Sequence, residues 1–194
     1  LKALLLGTLL ATASGATFAQ EPAAPADPAS RQPAWIAKSN AEAQILLDTY
    51  ARFFPEMAGE IGVAGVDNRV ADLGPALSDR IRAAFTAAAR ELDERRAVVR
   101  DPRVVQDLEI LREDALLQAA IEAANQRYLL PGFDVAEQVY NGVRALLTDQ
   151  VAKERHPAAA VRLRRYAGLE EGYTPIAVLA EARVREQLGT IGLL

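Results

Sequence analysis

The sequence predicts an all-α domain, a bundle of about six helices. Three observations predict it. Ala, Leu, Arg and Glu dominate, and all four are good helix formers. Apolar residues recur at three- and four-residue spacing, while the period-two alternation of strands is almost absent. Prolines repeatedly stand where a first helical residue belongs, as at Pro102, Pro157 and Pro175.

The first helix is expected over residues 33–54, with Trp35, Ile36, Ala43, Leu46, Leu47, Tyr50 and Phe54 on one face. Pro55 ends it and opens a short helical turn through Glu60. Gly62 and Gly65 then take positive φ at little cost and redirect the chain. A second long helix over residues 78–99 carries Ile81, Ala84, Phe85, Ala88 and Leu92 inward. Asp101 as N-cap and Pro102 at the first position start a third, which reaches Tyr128. Its apolar residues form two stripes. One holds Val104, Leu108, Leu111, Ala115 and Ala119, and the other Ile110, Leu117, Ile121, Ala124 and Tyr128, roughly 140° away at 100° per residue. Apolar on two sides, this helix is expected near the centre of the bundle. A fourth covers residues 135–147 with Val139, Val143, Leu146 and Leu147 inward. A fifth runs from Pro157 to Gly168. A sixth has Thr174 as cap, Pro175 at the first position and Gly189 closing it. No internal repeat of fixed period is present.

The ends and the charge define the setting. Lys2, an apolar run over residues 3–13 and small residues ending in Thr17-Phe18-Ala19 have the layout of a secretory signal peptide over residues 1–19. The apolar run falls short of the roughly 20 residues needed to span a bilayer. Residues 20–33, with prolines at 22, 25, 28 and 33, read as a flexible linker. Residues 34–194 are the helical domain. Without a Cys there is neither a disulfide nor a lipoprotein anchor. The expectation is an exported chain, periplasmic or secreted, not a lipoprotein and free of the membrane after cleavage. Loss of Lys2 leaves 21 basic against 26 acidic residues, a net charge of −5. With no basic stripe and no interleaved aromatics, nucleic-acid binding is excluded as an expectation. The chain does not begin with Met, which implies an alternative start codon or a clipped sequence.

Little catalytic equipment is legible. His156 is the sole imidazole, and no thiol accompanies it. A zinc hydrolase site needs three protein ligands, so His156, even joined by Glu154, makes none, and it reads as an exposed or capping residue. No Gly-x-Ser-x-Gly elbow supports a triad through it. Glu109 with Glu113, Glu113 with Asp114, and Glu170 with Glu171 read as solvated helix faces near Arg partners. Asp67, Asn68 and Asp72 hold part of a calcium-loop pattern without its spacing or terminal Glu, and read as turn chemistry. No phosphate-cradling Gly-x-x-x-x-Gly-Lys occurs. No catalytic, metal or cofactor-binding residue is assigned.

The junction "FFPEMAGEIGVAGVDNRVADLGP" followed by Ser78 resembles the amino-terminal part of a bacterial family, the domain of unknown function 885. Pro55, Ala58, Gly62, Asp67 and Asp72 fit its pattern, and Gly59 stands where Thr is usual. "DLEILREDAL" resembles the helix that follows. "HPAAAVRLRRYAGLEEGYTPIAVLAEARV" is similar to a later segment, with Gly168, Gly172 and Pro175 in place. The resemblance covers most of residues 34–188. It implies a zincin-like metallopeptidase, related in fold to helical carboxypeptidases, that acts on peptides. The family's zinc motif, His-Glu-Ala-x-Pro-Gly-His-His, lies in its later half, beyond any segment of this sequence. The resemblance therefore implies an amino-terminal piece of a larger exported enzyme, from a truncated sequence or a frameshifted gene. The partner this implies is its own carboxy-terminal half, without which apolar faces are expected to be left open. By itself the chain is expected to bind zinc weakly at most and to show no zinc-dependent peptidase activity. The other reading is a free-standing exported bundle that binds a partner or an apolar ligand.

Overall fold

The computed structural model describes residues 32–191, so the leader and most of the linker lie outside the described residues. Pro33–Leu194 form one unit. The described residues form an all-α multi-helix bundle: α1 (Ala34–Phe53), α2 (Pro55–Glu60), α3 (Leu77–Val98), α4 (Pro102–Tyr128), α5 (Val135–Arg144), α6 (Pro157–Tyr166) and α7 (Ile176–Thr190). Six are the expected helices, and α2 is the short turn opened by Pro55.

Helices α1, α3 and α4 build the larger core. Leu46, Phe53, Ile81, Phe85, Leu92, Val104 and Leu108 are buried together. The Tyr50 ring meets Phe85 edge-on at 5.0 Å. The Tyr50 hydroxyl donates to Asp114 at 2.9 Å, and Ser39 donates to Asp107 at 2.6 Å. A second core joins the loop before α3 to α5, α6 and α7 through Leu73, Val139, Val143, Tyr166, Ile176 and Ala180.

Several expectations need correction. Helix α4 is not at the centre of the bundle. Its Val104–Leu108–Ala115–Ala119 side is buried against α1 and α3, but Ile110 (57%), Leu117 (55%) and Tyr128 (73%) are exposed on the other. The cause is where the later helices dock: α5 packs on α2, α6 and α7, away from the length of α4. Helix α5 ends at Arg144, three residues early, so Leu146 is buried while Leu147 is half-exposed. Pro175, with ψ 131°, stands before α7 instead of at its first position, and no side chain caps that helix, Thr174 included. Gly189 does not close α7, which continues through Thr190. Ser78 is buried in the first turn of α3, whose preceding Ala76 adopts a left-handed φ of 52° and donates its N–H to Glu186 at 2.9 Å. Asp101 does cap α4, accepting from the Arg103 N–H at 3.1 Å.

Candidate functional site

The polar centre of the molecule lies where α6 meets the α2 junction. Along α6, Ala158, Ala159, Arg162 and Tyr166 fall on one face at helical spacing, and all four are buried. Arg162 has no exposed surface. Its guanidinium donates to the carbonyls of Arg69 (3.0 Å), Gly142 (2.7 Å) and Val66 (3.3 Å), with Pro55 at 3.5 Å. Those carbonyls come from α2, the loop after it and α5. The Val66 carbonyl also accepts from the Arg69 N–H at 2.8 Å, and one planar fork of donors reaches all four carbonyls together.

Beside it, the buried Glu56 accepts from the Tyr166 hydroxyl at 2.6 Å and from the Ala71 N–H at 2.9 Å. Burial, then the Glu56 carboxylate, push the Tyr166 phenol far above its ordinary range, so it stays protonated and donates. Gly142 permits this approach. A Cβ there would overlap the Tyr166 hydroxyl oxygen and lie 3.1 Å from Glu56 Cγ. Two residues before α6, Arg155 donates to both carboxylate oxygens of Asp67 (2.8 and 2.7 Å) and to the Gly59 carbonyl at 3.1 Å. That hydrogen-bonded pairing holds the Asp67 carboxyl below the usual carboxylate range. Arg165 donates to the Asn68 carbonyl and to Glu170 (2.8 Å), and its guanidinium lies over the Tyr173 ring at 4.7 Å.

The arrangement is a clamp. Three arginines of "RHPAAAVRLRR" fix the carbonyls of Gly59, Val66, Asn68 and Arg69. Their donors are committed to the backbone and to carboxylates, which leaves the guanidinium of Arg162 unavailable to a substrate. Gly62 (φ 93°) and Gly65 (φ 79°) make the turns this clamp holds. Asp67 therefore does something other than the expected turn capping: it answers Arg155 from 88 residues away in sequence. Asp72 does cap a turn, accepting from the Gly74 N–H at 2.8 Å while it pairs with Arg80 at 2.8 Å.

His156 is half-buried at the start of α6, and its side chain caps no helix. Its Nε2–H donates to the Val151 carbonyl at 3.1 Å. Glu154 is exposed nearby. Among the described residues no group of three or more His, Cys, Asp or Glu side chains is gathered around one point. Zinc needs three such ligands, so this donor set does not fit the zinc that the resemblance implies. Glu109 and Glu113 are exposed on the outer side of α4, whereas Asp114 turns inward to Tyr50. Glu170 pairs with Arg165 and Arg164, and Glu171 is exposed.

Two concavities flank the clamp. One, of about 480 Å³, is bordered by Ala71, Asp72, Tyr166, Tyr173 and Ile176. The other is an open, almost wholly apolar trough of about 810 Å³ on α5 and α6, lined by Val135, Val139, Tyr140, Val143, Leu147 and Leu163. No helix among the described residues is long and apolar enough to cross a membrane. The chain matches no protein-family model, no curated protein and no solved structure.

Proposed function

We propose that these helices form the amino-terminal wall of a larger exported zinc metallopeptidase resembling the domain of unknown function 885 family. The α5–α6 trough then packs against the metal-bearing half of the same polypeptide. The observation that carries this reading is the trough itself. Tyr140, Leu147 and Leu163 are all more than half exposed along a continuous apolar strip, the kind of surface that a soluble chain covers with another element. The ordered motifs from Pro55 to Pro175 supply the family. The clamp has a role in this reading: it fixes the junction between α1 and α3, so that the helical layer presents a rigid wall. Zinc chemistry belongs to the other half, since the donors described above do not fit the ion.

The same trough favours one second reading, a free-standing exported bundle that takes up an apolar ligand or partner there. Sequencing the locus beyond codon 194 separates the two. The first reading expects an in-frame His-Glu helix motif within several hundred codons. A reading frame that closes without one overturns it. A metal titration of the chain alone is expected to give no stoichiometric sub-micromolar zinc site and no chelator-sensitive peptide hydrolysis.

A further inference from the structure

The outer side of α4 is a separate surface from the trough, and it has a pattern of its own. Ile110, Leu117, Ile121, Ala124 and Tyr128 are spaced by seven, four, three and four residues. That is the rhythm of a coiled-coil seam, with Asp114 alone turned away from it, toward Tyr50. All five are exposed. The seam runs for about 27 Å at 1.5 Å per residue.

The flanking charges say what kind of helix lies on it. Glu113 and Arg127 each stand one residue before a seam position, and each is exposed without an ion-pair partner among the described residues. Arg127 lies over the Tyr128 ring at 5.3 Å, which keeps its guanidinium beside the seam. When a second α4 is laid antiparallel about an axis near Ala119, Ile110 meets Tyr128 of the second copy and Leu117 meets its Ile121. The same register sets Glu113 against Arg127 of the second copy, and the two-fold axis repeats the pair at the other end. A parallel pairing would set Glu113 beside Gln118 and give no charge pair. Opposite charges placed symmetrically about the middle of an apolar stripe are what self-recognition by a two-fold requires.

We propose that the outer face of α4 is a homodimer interface, occupied by α4 of a second copy of this chain in antiparallel orientation. The proposal does not depend on the peptidase reading, which concerns the trough.

The test is sedimentation equilibrium of the purified protein over a wide concentration range, with three charge variants. The wild type is expected to show a concentration-dependent monomer–dimer equilibrium. Glu113→Arg and Arg127→Glu each place like charges together twice per dimer, and each is expected to weaken association at least about ten-fold. The double variant restores opposite charges in the antiparallel register and is expected to recover affinity to within about three-fold of wild type. These residues are exposed, so circular dichroism should report unchanged helix content in all three. A protein that stays monomeric at the highest concentration overturns the proposal. So does a dimer indifferent to the single exchanges, or one that the double exchange fails to restore. A face covered by another part of a longer chain, or by a different protein, would give the first of these results.

Discussion

Phe85 and Arg162 are both without exposed surface, and different forces bury them. Phe85 sits among Leu46, Phe53, Leu92 and Leu108, where removing apolar area from water is the favourable contribution. Arg162 sits among carbonyl oxygens, and its burial is tolerable only because its donors have acceptors there. The α1–α3–α4 core is non-directional and accepts near-isosteric exchange. The clamp is directional, and removal of one member takes a donor or an acceptor from the groups it touches. A bundle whose first half was closed by periodicity alone would still leave the loop between α2 and α3 unanchored. The clamp supplies that anchor from α6.

The largest expected effect tests this difference directly. Arg162→Met keeps much of the volume and loses every donor. It is expected to cost about 3–5 kcal/mol, because the Arg69 and Gly142 carbonyls lose the Arg162 donors and the Val66 carbonyl keeps only the Arg69 N–H at 2.8 Å. Phe85→Leu, also a shape-near exchange, is expected to cost about 1 kcal/mol. Urea unfolding of the two variants reads both. If Arg162→Met unfolds no more easily than Phe85→Leu, the clamp is ornamental and the contrast collapses.

Gly142 sharpens the contrast within the clamp. Gly142→Ala drives a methyl group into the Tyr166 hydroxyl and is expected to cost about 1–3 kcal/mol. Tyr166→Phe removes the donor to Glu56 and is expected to cost about 1–2 kcal/mol. The two are coupled through one atom, so the double variant should be less destabilised than the sum of the single ones. Strict additivity in thermal melts would mean that the hydroxyl and the glycine do not meet.

The same pair of residues shows how far the sequence was legible. The six long helices, the short turn at Pro55 and the buried stripe of α3 followed from proline placement and apolar period, because both are local. Arg162 did not follow. An arginine on a helix is ordinarily wet, and only its place four residues after Ala158 and four before Tyr166 marked it as inward. Which carbonyls it serves depends on segments 93 and 20 residues away, and no local pattern carries that. Asp67 was legible as a turn residue for its type and missed as an ion pair for the same reason. The second stripe of α4 was read correctly as apolar and wrongly as buried. Period shows that a face is apolar; it does not show what lies against it.

A smaller effect separates the clamp from the apolar core by pH. Arg155 holds the Asp67 carboxyl below its ordinary value, so this pair stabilises the fold above the unfolded-state pKa of about 3.9. That contribution is lost as pH falls through the lower, folded-state value. Asp67→Asn should therefore be destabilised by up to about 1 kcal/mol at neutral pH, and its deficit should shrink toward zero in strong acid. Stability curves of wild type and variant between neutral and acidic pH measure this. A deficit that stays constant through the acid range would mean that the Asp67 charge contributes nothing.

The smallest expected effect lies on α4, where two neighbours face opposite ways. Leu108 has no exposed surface and Ile110 is 57% exposed, although they are two residues apart on one helix and similar in size and hydrophobicity. Leu108→Ala removes buried methyl groups and leaves a cavity between α1, α3 and α4, for an expected cost of about 2–5 kcal/mol. Ile110→Gln exchanges an exposed apolar side chain for a polar one with good helix propensity. Measured in dilute solution, where any self-association is absent, it is expected to change stability by no more than about 0.5 kcal/mol. Repeating the Ile110→Gln measurement at high concentration adds a second reading. A deficit that grows with concentration is what mass action predicts for a residue covered only in a dimer. A deficit of core size already present in dilute solution would place Ile110 under cover within the chain itself, and would remove the basis for treating the outer face of α4 as open.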